Sequence, residues 1–201
     1  MSRYTGPKRR LSRREGVALF PKDAKALERK GAVAPGMRGT RTRNRRTSEY
    51  GTQLREKQKA KRIYGLSEKQ FRNTFNEAAK RKGRTGQTLL ELLETRLDNV
   101  IYRLGFTKSR PEARQMVSHG HILVDNKKVS IPSFRVKVNT TVAISPKFVD
   151  NTQVKNNLEE GRPLLGWLDK KATVGKVLRL PEREEMESIV DEQLIVEYYS
   201  R

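Results

Sequence analysis

Four arginines, Arg96, Arg103, Arg110 and Arg114, carry the clearest chemical signal in the sequence. Arg96 and Arg103 are seven apart, about two turns, so on one helix they share a face. Arg110 and Arg114 are four apart and share a face of a second helix. A guanidinium offers a planar fork of donors that can meet a phosphate through two parallel hydrogen bonds, which an ammonium cannot do. Four such forks on two adjoining helices, with Lys108 in the loop between, suit phosphate oxygens on a folded polyanion. The competing interpretation is a solvated helix face, because an exposed pair such as Arg96 and Asp98 is worth little alone. His119 and His121 stand two apart at a helix-to-strand junction. Without a third ligand nearby, and with no cysteine in the chain, they do not make a metal site. Their ring nitrogens would instead satisfy backbone groups or a phosphate. No Walker loop, nucleophile elbow or zinc-protease pattern occurs, so enzymatic chemistry has no visible home.

These residues need elements to hold them. Thr88 and Glu91 have the spacing of a capping box, and Leu89, Leu93, Leu97, Val100 and Leu104 recur at steps of three or four. That pattern predicts one helix from Thr88 to Leu104, stopped by Gly105. Ser109 and Glu112 start the next, with Pro111 in the first turn where its missing N–H costs nothing, and Gly120 ends it. His121–Asp125 and Val129–Ile131 then flank Asn126-Lys127-Lys128 as a hairpin. Phe134, Val136 and Val138 alternate with Arg135 and Lys137 as a strand with one wet face, and Val142–Ile144 forms another. Helices followed by a hairpin and strands give an α+β module.

The net charge of +21 is strongly uneven. Residues 1–88 hold 26 basic and 7 acidic residues, a net +19, whereas residues 89–201 hold 18 and 16, a net +2. Such a field attracts polyanions, and counterion release makes nucleic acid the leading partner. A membrane surface fits poorly, since no basic helix with a large apolar face appears. No apolar run is long enough for a membrane span, and the first residues lack the apolar core of a signal peptide. The absence of cysteine removes disulfides and thiol chemistry and fits a reducing compartment.

Residues 1–47 combine Lys8-Arg9-Arg10, Arg13-Arg14 and the run Arg38–Arg46 with Pro and Gly. They are expected to form an extended arm with one short helix near Lys22–Lys30, folding onto a polyanion. Residues 48–87 form a helical domain: a basic helix over Ser48–Tyr64 closed by Gly65, then a second begun by a Ser67/Gln70 capping box with Phe71, Phe75, Ala78 and Ala79 as its packing stripe. Residues 88–150 are the α+β module. Residues 151–180 are an extension and linker with the apolar patch Leu164, Leu165, Trp167 and Leu168, and a strand near Val177–Leu180. Residues 181–201 are acidic and end in a helix packing through Ile195, Val196 and Tyr199. Tyr102 is expected in the core, while Tyr4 is open to stacking on a base.

The run RLDNVIYRLGF, followed by SRPEARQMVSHGHILVDNKKVSIPSF, resembles the RNA-binding domain family named after the bacterial small-subunit ribosomal protein S-four. RYTGPKRRLSRREG, SEYGTQLREKQKAKRIYGLSEKQFRN and LPERE with EQLIVEYYSR extend the resemblance, in order, to nearly the whole chain. It implies a helical domain made from the N-terminal half and the terminal helix, with the α+β module inserted. It also implies a primary assembly protein that binds a multi-helix junction in the 5′ domain of small-subunit ribosomal RNA. Contact with neighbouring ribosomal proteins including S-five, an influence on decoding accuracy and a cytoplasmic or plastid ribosome follow from the same resemblance. By motif match, ribosomal RNA would meet Arg96, Arg103, Arg110 and Arg114. It would also meet Arg3, Lys8, Arg13 and Arg14 of the arm, and Arg55, Lys57 and Arg62 of the basic helix. Arg43 and Arg46 would face messenger RNA where it enters the subunit. Some relatives hold zinc in an N-terminal cysteine cluster. This chain has no cysteine, so no metal or other cofactor is expected.

Two other classes compete. One is the RNA-docking part of an RNA-modifying enzyme, although only about 50 residues follow the module, too few for a catalytic domain. The other is a free-standing RNA chaperone acting on ribosomal particles, which would lack the helical domain and the LIVEYYSR ending.

Overall fold

The structure, a computed structural model, describes residues 4–30, 33–36, 48–159, 161 and 163–201. Arg3, Arg43 and Arg46 lie outside them. The chain divides into two compact units, one taking residues up to Asn76 together with Ile189–Arg201, the other Glu77–Ser188. The architecture is α+β, and no helix among the described residues is long and apolar enough to cross a membrane.

In the first unit the expected arm is more folded than its charge suggested. Lys8–Glu15 is a helix, α1, ended by Gly16 in the left-handed conformation, and Ala24–Lys30 is a second, α2. The physical reason is a small polar and apolar anchor that outweighs the like-charge repulsion. Ser12 is buried and donates to Asp23 at 2.5 Å, Leu19 is buried, and Arg13 donates to the Val33 and Ala34 carbonyls.

Glu49–Ile63 (α3) begins at the Ser48 cap, whose hydroxyl accepts from the Gly51 N–H, and Gly65 follows at φ 64°. Glu68–Lys80 (α4) starts at a reciprocal box, with the Gln70 N–H donating to Ser67 Oγ and the Ser67 N–H to Gln70 Oε1.

The terminal helix, Glu192–Ser200 (the last, α10), packs on α3 with Ile195 buried. Tyr199 stacks on Phe75 at 4.4 Å between centroids, and Gln53 donates to Glu197. Its phenol, raised in pKa by burial and the nearby Glu68 charge, donates to Glu68.

Burial alone would raise the Glu68 carboxyl. Hydrogen bonds from Lys57 at 2.7 Å and Lys61 at 2.8 Å, with their charges, outweigh that and hold it at about 2. A carboxylate depressed in the folded state stabilises above its unfolded pKa and loses that contribution as pH falls through the folded one. The stability difference between the parent and Glu68→Gln should therefore shrink steadily from about pH 5 to about pH 2. The side chain is nearly half exposed, so solvent screening keeps the effect small. Denaturant midpoints across that range measure it.

The second unit contains Thr85–Glu94 (α5), Leu97–Arg103 (α6) and Arg110–Ser118 (α7), then strands Ile122–Val124 (β1), Lys127–Lys128 (β2), Thr141–Ile144 (β3), Leu168–Lys171 (β4) and Val174–Val177 (β5). Two short helices, Pro146–Val149 (α8) and Thr152–Glu159 (α9), lie between β3 and β4. The sheet is antiparallel in the order β2-β1-β3-β5-β4. Its core joins Val100, Ile101, Leu104 and Phe106 to Ile122, Val142, Trp167 and Val177. Gly175 lies directly against Leu104, whose Cδ1 would stand 2.5 Å from an added Cβ. β5 needs glycine there for close approach.

Several boundaries differ from the sequence reading. The single helix expected over Thr88–Leu104 is two, and Thr88 is inside the first rather than its cap. The break falls at Thr95-Arg96, where Val136 N–H donates to the Thr95 carbonyl and Arg96 bridges Arg135. That tertiary pairing diverts backbone groups that a continuous helix would have used. Phe134–Val138 consequently makes only this isolated bridge and no ladder. The hairpin turns at Asp125-Asn126, both with positive φ, so β2 is Lys127–Lys128 and not Val129–Ile131. Two successive left-handed residues match the twist of a tight hairpin. In the last linker, the strand is Val174–Val177 rather than Val177–Leu180.

Candidate nucleic-acid interface

In the first unit, α1 and α3 face each other across a cleft of about 380 Å³ lined by Tyr4, Arg10, Leu11, Arg14, Pro35, Arg55, Gln58 and Arg62. Four guanidiniums converge on it because Arg10 and Arg14 are one turn apart on α1, while Arg55 and Arg62 are two turns apart on α3. Behind it lies Glu15, whose side chain is 0 % exposed and is paired with both Arg55 and Arg62. Burial raises the Glu15 carboxyl despite these arginines, and burial also lowers Arg62. The inner pair of arginines is thus held by a buried carboxylate. Arg10 and Arg14 are exposed, and neither is within ion-pair distance of a carboxylate among the described residues, although the Arg14 charge is felt by Glu15. Tyr4, also exposed, offers a ring at the rim.

The other expected residues of this unit are placed differently. Lys8 is exposed and lies over the Phe20 ring at 5.6 Å. Arg13 is turned inward to carbonyls. Lys57 is buried between helices, donating to Glu68 and to the Tyr198 hydroxyl and lying over the Tyr198 ring at 4.4 Å. Spacing put Lys57 on a basic helix, but it did not show which side of that helix the C-terminal segment covers.

In the second unit, the four arginines come together, yet not as the bare edge their spacing suggested. Arg96 caps α6 and is buried, with Nε and Nη2 donating to the two carboxylate oxygens of Asp98 at 3.1 and 2.9 Å. Arg114 reaches the same carboxylate at 3.3 Å. Arg103 forks onto Glu94 at 3.0 and 2.7 Å and also donates to Glu187. Arg110 donates to Asn99 Oδ1 at 2.7 Å and to Glu187, with its guanidinium 4.5 Å from the Tyr102 ring centroid. Asn99 closes the circle by donating to Glu94. Glu94, Asn99, Arg110, Glu187 and Arg103 therefore form a closed ring of hydrogen bonds with two positive and two negative charges. A fixed, partly exposed set of guanidiniums can present shape and donors, but contributes little net charge.

Exposed positive charge in this unit lies elsewhere. Lys80, Arg81, Lys82 and Arg84 are all exposed in the connection from α4 to α5, and Lys127 and Lys128 at the hairpin. The sequence reading passed over KRKGR, although a like-charge run at a helix end is a visible signal. It also missed Arg135, which forks onto Glu77 with both contacts at 2.7 Å, because its partner is 58 residues away. His121 stacks on Phe148 at 3.8 Å, and no cluster that could hold a metal occurs among the described residues.

Residues 3–94 match the family model described as ribosomal protein S4/S9 N-terminal domain, and residues 95–142 match the S4 domain. Over 211 aligned residues the chain is 53 % identical to the small ribosomal subunit protein uS4 of Natranaerobius thermophilus, with the whole of both proteins covered. It is 50 % identical over 210 residues to the proteins of the same name from two Thermus thermophilus strains, again across both full lengths. This end-to-end agreement, carrying the helical domain and the terminal segment along with the module, is what neither an enzyme appendage nor an isolated chaperone module would give. The chain belongs to the uS4 family of small ribosomal subunit proteins, which are structural components of the ribosome and not enzymes.

Proposed function

We propose that the chain binds small-subunit ribosomal RNA where several helices converge in the 5′ domain, and that it thereby helps to nucleate assembly. The observation that carries this reading is the division of labour between the units. The cleft between α1 and α3 offers exposed arginines outside any ion pair for phosphates, and the module offers guanidiniums fixed by the Glu94–Glu187 ring. Phosphate contacts fix position, whereas a rigid array of donors suits the wide, shallow groove of folded RNA. A cytoplasmic ribosome, contact with S-five, messenger RNA near Arg43 and Arg46, and an influence on decoding accuracy belong to the same reading.

The test is a salt titration of binding to 5′-domain RNA. Arg110→Ala and Arg114→Ala should each weaken binding about tenfold, while the slope of log K against log salt changes by less than one, because each guanidinium is already paired with a carboxylate. Unchanged affinity and slope for both, in protein shown by circular dichroism to be folded, would remove the module from the interface.

A further inference from the structure

A second recess, of about 260 Å³, opens in the Glu77–Ser188 unit on the side of α7 opposite the arginines. On a helix of 3.6 residues per turn, Arg110 and Arg114 fall on one face, and Glu112, Gln115, Met116 and His119 on the other. The recess is therefore distinct from the arginine ring. Its walls are flat and polarisable: Phe106, Met116, and His121 stacked on Phe148 with only 10° between the ring planes. Gln115 and Gln153 stand exposed at its rim, each bringing an amide donor and acceptor. Glu112 is the one carboxylate in the lining, and both its oxygens are taken, by the Lys108 N–H and by Asn157 Nδ2.

The surroundings are basic. Lys108 follows Thr107 of the wall in the sequence, Lys147 precedes Phe148, and these two and Lys128 are exposed. The Lys128 side chain lies over Gly120, where an added Cβ would be 2.8 Å from Nζ. Burial, then the neighbouring His119 and the Lys128 charge, lower the pKa of His121. An aromatic slot among exposed lysines is the arrangement that holds single-stranded RNA, with bases on the rings and phosphates on the cations.

We infer that this recess receives one unpaired nucleobase of an RNA strand, stacked against the half-buried His121–Phe148 wall, with its edge on Gln115 and Gln153. The inference rests on the reading of the chain as an RNA binder and adds a base-dependent site to it. The occupant is a base carried on a strand, because exposed lysines next to lining residues can meet flanking phosphates.

The experiment uses the full chain and three probes: a hexamer of adenosines, the same hexamer with all six bases removed, and adenosine monophosphate. Affinity and the methyl resonance of Met116 are both followed. The hexamer should bind about tenfold more tightly than the abasic strand, and it alone should move the Met116 methyl. The difference should disappear in the Gln115→Ala, Gln153→Ala double variant, whose changes are both at exposed positions. Equal binding of the two hexamers would overturn the inference, as would a Met116 response as strong and as tight with adenosine monophosphate. No response to any probe would also overturn it, leaving the recess to a protein side chain. Binding of the same protein to 5′-domain RNA is measured in parallel. Retained affinity there, with equal hexamers, would sink the base site while leaving the RNA-binding reading intact.

Discussion

Glu94→Ala should lower the stability of the Glu77–Ser188 unit by about 3–5 kcal/mol, the range for removing one partner of a buried ion pair. Glu94 is 0 % exposed and serves three donors: the Arg103 fork through two nitrogens, and Asn99 Nδ2. Without it, Arg103 keeps only Glu187 among the carboxylates named here, and Asn99 loses the acceptor that orients it toward Arg110. The cost is that of a fully buried carboxylate site lost at once by a half-buried guanidinium fork and by the buried Asn99 amide, which exceeds any single hydrogen bond.

Glu187→Ala offers the internal comparison. Glu187 is 17 % exposed, so water can replace part of what it gives, and about 1 kcal/mol is expected. Urea unfolding at constant m measures both. Because the two glutamates share Arg103, the double variant should cost less than the sum of the singles. Equal losses for Glu94→Ala and Glu187→Ala would mean that the ring is a surface feature and does not hold the module together.

That ring also shows where sequence patterns stop being informative. Local devices were legible because their partners are three or four residues apart. Ser67 and Gln70 form the expected box, Gly65, Gly105 and Gly120 take positive φ after their helices, and Leu97, Val100 and Leu104 are buried as the periodicity required. The arginine spacing grouped the four arginines helix by helix, whereas shared carboxylates couple Arg96 to Arg114 through Asp98 and Arg103 to Arg110 through Glu187.

What it could not supply was their partners. Glu187 lies 84 residues from Arg103 and 77 from Arg110, on a segment whose acidity was evident but whose destination was not. The same limit explains the helix break at Arg96, where Pro132, Phe134 and Val136 take or supply the backbone bonds, and the folding of α1, where Ser12 depends on Asp23. Composition located most of the positive charge in the first 88 residues. It could not show that Arg55, Lys57 and Arg62 would be paired while Arg10 and Arg14 would not.

This last distinction leads to the largest expected effect on RNA affinity. The double variant Arg10→Ala, Arg14→Ala should weaken binding to 5′-domain RNA by about 30-fold or more at roughly 0.1 M salt, taking each lost charge-assisted contact as at least ~1 kcal/mol. The slope of log K against log salt should fall by about two, one unit for each phosphate no longer neutralised. Both side chains are exposed at the cleft, and neither is within ion-pair distance of a carboxylate among the described residues, so folding stability should change by less than about 0.5 kcal/mol.

Arg62→Ala should behave in the opposite way. Arg62 is already paired with the buried Glu15, so its removal leaves that carboxylate with Arg55 alone among the cations bonded to it. Stability should then drop by about 2 kcal/mol or more, and the salt slope of the folded protein should change by less than one unit. If Arg62→Ala reduced the slope as much as the loss of Arg10 and Arg14 together, the carboxylate would be yielding its arginine to RNA on binding. The cleft would then use all four guanidiniums and not two. The ratio of the two slope changes therefore reads out how many of the cleft's charges are available to phosphate, which burial and pairing set and net charge alone does not.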